Sequence, residues 1–435
     1  MGTNSNTAGS RCFIISRLDT IVITGGEKLS GTVATGGAKN AALPLLFASL
    51  LADGEYRFNN VPRLMDIDST ALLLEHLNCE VSRDGGSLVV RVSECIDREA
   101  PYDIVRKMRA SILCLGPLVA RYGEARVSLP GGCAIGTRPI NLHIEGLRQL
   151  GAEIEIEGGF VVARASRLQG ECIVFENATV GGTENLMLAA VLARGTTVLE
   201  NAAKEPEIVD LAHCLRAMGA RIEGDGSSVI TIEGVDDLHA CETNVIPDRI
   251  EAGTLLIAGA ITGGDVTVTG CKPRHLDALV HRMSECGFKL ETGEDWIRVL
   301  PCEQWGAVDI ATSPYPGFPT DLQAQFMALM TLANGTSVVT ERIFENRFMH
   351  VQELMRLGAD ITPKTQVAVV RGHPGGLNGA PVMATDLRAS ACLVLAGLAA
   401  QGETTVNRIY HLDRGYEKLE AKLKSLGARI ERRAS

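Results

Sequence analysis

Three cationic side chains stand at or beside the starts of apolar segments that the sequence predicts to be helices. They are Lys39, Arg109 and Arg388. A positive charge at a helix N-terminus opposes the positive end of the helix dipole and needs a negative partner. We therefore expect these residues to compensate an anionic ligand, such as a phosphate or a carboxylate.

Acidic and hydroxyl side chains begin other apolar segments, at Asp248, Thr320, Asp321 and Asp386. The commonest role of such a residue at this place is to accept hydrogen bonds from the first free N–H groups of the helix. Taken one at a time, each of the four is predicted to be an N-cap.

A cysteine lies in the least regular stretch of the chain, residues 129–139, which holds three glycines and two prolines. This composition predicts a surface loop, with Cys133 near its centre and Arg138 close behind. A thiol near a guanidinium has a lowered pKa and can act as a nucleophile or a proton donor. An ordinary free cysteine is the other interpretation, and the residues alone leave both open.

The elements that must position these side chains recur six times. Six predicted helices end in nearly the same phrase, each followed by a strand-like run, at 77–81, 150–154, 218–222, 286–290, 357–361 and 426–430. The second residue of the phrase recurs at intervals of 73, 68, 68, 71 and 69 residues. It is glycine in five of the six, as a left-handed helix C-cap requires. The chain is therefore six copies of one α/β unit.

Each copy also carries a nearly all-apolar helix, which predicts burial on every side. These helices are predicted at 41–51, 110–121, 185–194, 249–261, 321–333 and 386–400. The last copy adds an amphipathic helix from Arg414 to Leu426. Because 435 residues exceed what one core holds, we expect two α/β domains of three units each, with buried helices and outer sheets.

Composition excludes several classes of partner. A net charge of −10 argues against nucleic acid or an anionic membrane surface as a partner. No apolar run has the length of a membrane span, and the twelve cysteines form no C-x-x-C pair. We expect a cytoplasmic protein whose residues 1–17 form a loose extension.

Seven motifs together resemble those of the UDP-N-acetylglucosamine 1-carboxyvinyltransferases. They lie at 37–44, 108–111, 129–136, 318–321, 344–348, 386–390 and 413–417. The resemblance runs from about Ile21 to Arg432. It implies two inside-out α/β domains, 39–247 with the cysteine loop and 1–38 plus 248–435, between which the chain crosses near Lys39 and Asp248.

The resemblance also implies the activity. The substrates would be phosphoenolpyruvate and UDP-N-acetylglucosamine, and the products an enolpyruvyl ether and phosphate. No metal or organic cofactor would be needed, and the oligomeric state stays open.

Site residues follow from the same resemblance. Cys133 would protonate the methylene carbon and Asp321 would take the hydroxyl proton, with Lys39 and Arg414 as further catalytic residues. Phosphoenolpyruvate would contact Lys39, Asn40, Arg138, Arg388 and Arg414. The nucleotide sugar would contact Asn40, Arg109, Arg138, Pro139, Ile140, Asn141, Leu142, His143, Thr179, Val180, Gly181, Asp321, Ile343 and Arg347. Asn141 and Asn177 depart from the pattern, standing where many members have aspartate and some have lysine, respectively.

Three alternatives remain at this point. The related shikimate-pathway enolpyruvyl transferase shares the reaction type but gives no reason for a cysteine loop. A non-catalytic paralogue could bind the nucleotide sugar only, although the joint presence of Lys39, Cys133, Asp321, Arg388 and Arg414 speaks against it. A phosphate-binding P-loop at 36–39 is disfavoured because Asn40, not Ser or Thr, follows the lysine.

Overall fold

A computed structural model describes residues 19–93, 97–106, 108–129, 131 and 140–434. The α-helices in this part of the chain are α1 (Lys39–Ala48), α2 (Met65–His76), α3 (Tyr102–Val105), α4 (Leu115–Tyr122), α5 (Asn141–Gln149), α6 (Val180–Ala190), α7 (Pro206–Ala217), α8 (Arg249–Ile261), α9 (Asp277–Glu285), α10 (Gln323–Met330), α11 (His350–Arg356), α12 (Leu387–Ala399) and α13 (Leu419–Ser425). Short 3-10 helices cover Ser49–Leu51, Arg109–Cys114, Pro273–Leu276, Thr320–Leu322 and Ile409–Arg414.

The strands are short and mostly of two to six residues. In chain order they are β1 (Thr20–Thr24), β2 (Ser30–Ala34), β3 (Gly54–Asn59), β4 (Glu80–Asp84), β5 (Ser87–Val92), β6 (Glu99–Ala100), β7 (Glu124–Ser128), β8 (Glu153–Glu157), β9 (Phe160–Arg164), β10 (Cys172–Val174), β11 (Thr196–Glu200), β12 (Arg221–Glu223), β13 (Val229–Glu233), β14 (Glu242–Asn244), β15 (Asp265–Thr269), β16 (Leu290–Thr292), β17 (Trp296–Val299), β18 (Ile310–Ala311), β19 (Gly335–Thr340), β20 (Asp360–Pro363), β21 (Val367–Gly372), β22 (Pro381–Met383), β23 (Glu403–Asn407) and β24 (Arg429–Arg433).

The repeated phrase has the same backbone conformation in all six copies. Its second residue is left-handed each time, with φ between 63° at Asn78 and 106° at Gly219. An L-residue is strained there, whereas glycine is not, and asparagine tolerates this region better than most residues. The predicted C-caps are confirmed.

Six four-stranded sheets share one topology, with one parallel pair followed by two antiparallel pairs. Three sheets borrow a strand from a distant part of the chain. β14 pairs with β3 in the first copy, β2 pairs with β15 in the fourth, and β1 lies between β23 and β24 in the sixth. The borrowed strands join the ends of each set of three units.

Two separate hydrophobic cores result. One takes its buried residues from positions 38–245, and the other from 21–33 together with 250–430. In the second core, α8, α10 and α12 pack against one another, and nearly every residue of these helices is buried. The predicted fold class, inside-out α/β units with buried helices, is confirmed.

The two connections between the cores lie side by side. Gly37 and Pro247 form an antiparallel bridge, the Ala38 N–H donates to the Ile246 carbonyl at 2.7 Å, and the Asp248 N–H donates to the Gly36 carbonyl at 2.9 Å. The segments before α1 and α8 therefore form a two-stranded link. The domain boundaries at 39 and 248 themselves stay a prediction.

Several predicted helices have other bounds in the structure. The segment 110–121 is α-helical only from Leu115, the segment 321–333 only over Gln323–Met330, and α6 runs over Val180–Ala190 in place of 185–194.

The amphipathic helix is also shorter than expected. The amphipathic pattern from Arg414 to Leu426 predicts one helix, but α13 begins only at Leu419. Arg414 instead ends a 3-10 helix, and Lys418 takes a left-handed conformation with φ 48°. The break separates Arg414 from the surface helix and directs it to the contacts described below.

Candidate functional site

Asp321 lies between two buried arginines. Its carboxylate accepts a hydrogen bond from Arg347 Nη2 at 2.7 Å and another from Arg388 Nη2 at 2.8 Å. The two arginines are only 6% and 4% exposed, respectively, so a partner of opposite charge is obligatory. We call Asp321, Arg347 and Arg388 the local cluster, because all three belong to the second core's part of the chain.

Three elements bring the local cluster together. Asp321 lies in the 3-10 helix before α10, Arg388 is the second residue of α12, and Arg347 lies in the loop before α11. Because α10 and α12 pack side by side, their N-terminal ends meet. Tyr416 lies over Arg388, with the guanidinium carbon 5.4 Å from the ring centroid.

The loop that carries Arg347 is held by a buried glutamate that the sequence analysis missed. Glu341 accepts hydrogen bonds from the Ile343 and Phe344 N–H groups at 2.9 and 3.2 Å, and from Thr320 Oγ1 at 2.9 Å. Thr320 in turn accepts a hydrogen bond from Arg347 at 2.7 Å. Glu341 thus fixes both the loop and the partner of Arg347. In the sequence, Glu341 is a glutamate directly after a strand, and such a position does not indicate a buried residue that holds a loop.

Burial and charge act in opposite directions on Asp321. Burial disfavours the charged carboxylate, but Arg388 and Arg347 outweigh it and hold the pKa of Asp321 well below its usual range. Asp321 is therefore ionised, and it is a weak base while both guanidiniums hold it.

A second carboxylate binds cations from both halves of the molecule. Asp66, in the first turn of α2, accepts a hydrogen bond from Lys39 Nζ at 2.9 Å and one from Arg414 Nε at 2.9 Å. Lys39 and Asp66 are buried, whereas the Arg414 side chain is 37% exposed. We call these three residues the bridging cluster, since Arg414 belongs to the other core. Burial disfavours the charge of Asp66, but Lys39 and Arg414 outweigh it and lower its pKa.

Asp66 was also missed from sequence. An acidic residue in a first helical turn is explained by the dipole alone, so its position gave no reason to pair it with Lys39 or Arg414. Those partners lie 27 and 348 residues away.

The N-cap predictions are half right. Asp248 and Asp386 cap α8 and α12, each accepting hydrogen bonds from the N–H groups two and three residues ahead. Thr320 and Asp321 do not cap their helix and instead bind Arg347 and Arg388, so that part of the prediction is wrong. The buried arginines need the carboxylate more than a short helix end does.

The cationic helix starts also have protein partners. Lys39 is paired with Asp66 and Arg388 with Asp321, so carboxylates of the protein already compensate these two charges. That the three cations bind an anionic ligand stays a prediction. Spare capacity remains at Arg388, whose buried Nη1 has no hydrogen-bond partner within the described residues. Arg109 donates from Nη1 to the Gly131 carbonyl at 3.0 Å, beside the predicted cysteine loop.

The residues predicted to contact a nucleotide begin two neighbouring helices. Ile140, Asn141, Leu142 and His143 form the start of α5, and Thr179, Val180 and Gly181 the start of α6, with Thr179 Oγ1 accepting from the Gly182 N–H at 3.2 Å. A methyl group placed on Gly181 would lie 3.3 Å from the His143 ring, so the two segments touch.

Other predicted contacts are open to solvent or lie beyond the described residues. Asn40, the second residue of α1, is exposed, as are Asn141, Asn177 and Ile343. Cys133, Arg138 and Pro139 lie outside the described residues. Their predicted roles remain predictions.

Residues 19–93, 97–106, 108–129, 131 and 140–434 lack two features. In this part of the chain no group of three or more His, Cys, Asp or Glu side chains could hold a metal ion. No helix there is long and apolar enough to cross a membrane.

Comparison with known proteins gives concordant matches. The family model described as EPSP synthase (3-phosphoshikimate 1-carboxyvinyltransferase) matches residues 23–423. A UDP-N-acetylglucosamine 1-carboxyvinyltransferase from Bdellovibrio bacteriovorus is 66% identical over 412 residues, which cover 95% of this chain and 100% of the relative. One from Myxococcus xanthus is 57% identical over 418 residues, covering 95% and 99%, respectively. The resemblance that the motifs indicate is confirmed.

Solved structures share the fold. The enolpyruvyl transferase NikO from Streptomyces tendae superposes with a TM-score of 0.86 at 27% identity, covering 96% of this chain and 100% of that one. An EPSP synthase from Acinetobacter baumannii superposes with a TM-score of 0.75 at 18% identity, covering 95% and 100%, a likeness of fold alone.

Proposed function

The chain belongs to the UDP-N-acetylglucosamine 1-carboxyvinyltransferases of the EPSP synthase-like group, and from this we propose its reaction. It transfers the enolpyruvyl group of phosphoenolpyruvate to the 3-hydroxyl of UDP-N-acetylglucosamine and releases phosphate. This is the first committed step of bacterial peptidoglycan synthesis. The observation that carries the proposal is 66% identity, over 95% of this chain, to a relative of that name.

The two clusters suit the anionic substrate. Phosphoenolpyruvate carries a carboxylate and a phosphate, and guanidinium groups bind both in a bidentate manner. We assign Lys39, Arg388 and Arg414 to this substrate, together with Asn40 and Arg138. Each of the three cations already lies beside a carboxylate, so substrate anions would take over hydrogen bonds that Asp66 and Asp321 now accept.

That exchange would also prepare the base. While two guanidiniums stabilise its charge, Asp321 binds a proton weakly. A substrate anion that draws Arg388 away would raise the basicity of Asp321, which could then take the proton of the 3-hydroxyl. The base would thus become effective only after phosphoenolpyruvate is bound.

The proposed reaction proceeds in two steps, an addition and an elimination. The 3-hydroxyl oxygen adds to C2 of phosphoenolpyruvate while Cys133 delivers a proton to C3, which gives a tetrahedral adduct. Phosphate then leaves C2 while the Cys133 thiolate takes a proton back from C3, which restores both the double bond and the thiol. The proton held by Asp321 leaves with the phosphate. Fixed cations stabilise the charge on the departing phosphate in a site from which water is excluded.

We assign the nucleotide sugar to the starts of α5 and α6. We assign Arg109, Ile343 and Arg347 to the same substrate.

We also propose two domains, 39–247 and 1–38 plus 248–435, supported by the two separate cores. Cytoplasmic location is proposed from the cysteine pattern, and the nine cysteines of the described residues are free thiols.

A phosphate-release assay with purified protein and phosphoenolpyruvate tests the reaction. We expect release with UDP-N-acetylglucosamine and none with shikimate 3-phosphate. Turnover with shikimate 3-phosphate alone would assign the chain to the other activity named by the matching family model. Binding of the nucleotide sugar without any release would indicate a non-catalytic paralogue.

The role of Cys133 needs its own variant. Cys133→Ser replaces the thiol with a much weaker acid, so turnover near pH 7 should fall by about 100-fold or more. Cys172→Ser, at an exposed cysteine on β10, is the matched control and should keep full turnover. Full activity of Cys133→Ser would remove this residue from the mechanism.

A further inference from the structure

Asn185, to which no role has been assigned, contacts His143 of the predicted nucleotide site from within the protein interior. Asn185 is fully buried in the apolar helix α6, and its side chain makes three hydrogen bonds. Its Oδ1 accepts from the Gly116 N–H at 2.9 Å, and its Nδ2 donates to the Ile112 carbonyl at 3.4 Å and contacts His143 Nδ1 at 3.0 Å.

The first two contacts fix which way the amide points. A backbone N–H can only donate and a carbonyl can only accept, so Oδ1 must face Gly116 and Nδ2 must face Ile112. The approach is close enough to require glycine, since a Cβ on Gly116 would lie 2.4 Å from Oδ1. The amide therefore presents an N–H, not an oxygen, to His143.

The orientation of the amide decides the state of the imidazole. Burial, aided by the charge of Arg109, lowers the pKa of His143 to about 4, so the ring is neutral near pH 7. A neutral ring carries one hydrogen, and Nδ1 must be the acceptor because it faces an N–H of Asn185. The hydrogen is therefore on Nε2.

The Nε2 side of the ring faces the start of α6. A Cβ built on Gly181, in the first turn of that helix, would lie 3.3 Å from Cε1 and 3.5 Å from Nε2 of His143. An Nε2–H here is a donor that lies beside the residues to which the proposed function assigns the nucleotide.

We propose that Asn185 is a positioning residue that holds His143 as the Nε2–H tautomer, so that the ring donates a hydrogen bond to an acceptor oxygen of the nucleoside diphosphate. The inference rests on the proposed function for the identity of the ligand. The tautomer itself follows from the contacts within the protein.

The tautomer can be measured without any ligand. Nitrogen-15 NMR of the histidine rings, assigned with His143→Gln, distinguishes a protonated Nε2 from a protonated Nδ1. We expect Nε2–H in the wild type and a shift toward Nδ1–H in Asn185→Asp, whose carboxylate can only accept. A wild-type His143 ring protonated on Nδ1 would overturn the proposal even if Asn185→Asp failed to fold.

Kinetics test the effect on substrate. In Asn185→Asp the KM for UDP-N-acetylglucosamine should rise by about tenfold or more, with kcat and the KM for phosphoenolpyruvate nearly unchanged. Thr183→Val is the matched control, because Thr183 is equally buried on α6 and accepts one hydrogen bond from the Ala203 N–H at 3.1 Å. The control should leave both the tautomer and the KM as they are.

Asn185→Asp placed in the His143→Gln variant distinguishes a positioning role of Asn185 from a role in packing alone. His143→Gln carries an amide donor that needs no tautomer, so adding Asn185→Asp to it should change the KM by less than about twofold. An equal rise in both backgrounds, or none in either, contradicts the proposal. If the wild type releases no phosphate with UDP-N-acetylglucosamine, the proposed function fails, while the NMR result still decides the tautomer.

Discussion

The local cluster and the bridging cluster are chemically alike, since each holds one carboxylate between two cations. They differ in where the cations come from. Both arginines of the local cluster are nearly inaccessible and belong to the same core as Asp321. In the bridging cluster Arg414 comes from the opposite half, and 37% of its side chain is exposed.

The difference separates a contact made within one folded unit from a contact that depends on how closely the two halves approach. The local cluster is held whenever α10 and α12 pack, because its members lie on one folded unit. The bridging contact between Asp66 and Arg414 requires the two halves to be close, and under the proposed function a substrate anion would replace it. We therefore expect the local cluster to dominate stability and the bridging cluster to dominate substrate binding.

The largest effect is expected from Asp321→Ala. Removing this carboxylate leaves two buried arginines without their partner, which should lower the free energy of unfolding by about 3–5 kcal/mol. Turnover should fall by about 100-fold or more if Asp321 is the base. Denaturant unfolding and phosphate release measure the two effects.

The control for that variant is Asp360→Ala, which breaks an exposed ion pair with Arg371 in the same half. Its expected cost is about 0.5 kcal/mol. If Asp321→Ala costs no more than this, the local cluster does not stabilise the fold.

For Arg414→Ala we expect a small effect on stability and a large effect on substrate binding. Asp66 keeps Lys39 as a partner, so the free energy of unfolding should fall by about 1 kcal/mol or less. The KM for phosphoenolpyruvate should rise by about tenfold or more, because the variant lacks a cation that the proposed function assigns to this substrate. Initial rates over a range of phosphoenolpyruvate concentrations provide the measurement, and an unchanged KM would count against the bridging cluster as a substrate site.

A pH series distinguishes the clusters through their neighbouring histidines. The pKa of His350 is lowered to about 4, mainly by burial, while Asp386 raises it and Arg347 of the local cluster lowers it. The unfolded chain, with a histidine pKa of about 6.5, binds this proton more readily, so the contribution of neutral His350 is lost as pH falls from about 6.5 to 4. His350→Gln should therefore flatten the fall in unfolding free energy over that range.

His411 supplies the comparison on the bridging side. Burial and Arg414 lower its pKa as well, but the side chain is only partly buried, so His411→Gln should flatten the curve less. Equal effects of the two substitutions would mean that the two environments do not differ as described.

The smallest effect is expected from salt. Raising the ionic strength from about 0.05 to 0.5 M should reduce the coupling energy between Asp66 and Arg414 by a few tenths of a kcal/mol, because Arg414 is accessible to counterions. The coupling between Asp321 and Arg388 should hardly change. Double-mutant cycles at both salt concentrations give the two energies, and equal screening of both pairs would contradict the distinction.

Local patterns predicted much of the fold. The left-handed residue that ends each unit, the burial of the apolar helices and the caps at Asp248 and Asp386 all depend on neighbours within a few residues, and the structure has them as predicted. The bounds of the helices were less well predicted, since α6 begins at Val180 and not at 185. The N-cap prediction failed at Asp321, because this carboxylate binds arginine side chains and not the N–H groups of its own helix. Two arginines from other elements outweigh a helix end there.

The supporting residues of the candidate site had no local signal. Asp66, Glu341 and Asn185 each bind groups from other parts of the chain. In the sequence, Asp66 and Glu341 look like residues of an ordinary helix start and strand end, and Asn185 lies within an apolar helix. Sequence could propose which cations meet an anion, but it could not name what holds those cations in place.

The sequence by itself determined six repeated units, their helix ends and the family to which the chain belongs, because periodicity, glycine and motif order can be seen without coordinates. Tertiary structure alone decided which carboxylate meets which cation and which nitrogen of His143 carries the hydrogen. Such pairings depend on how helices from different units approach in space, and side chains hundreds of residues apart become neighbours only when the buried helices pack.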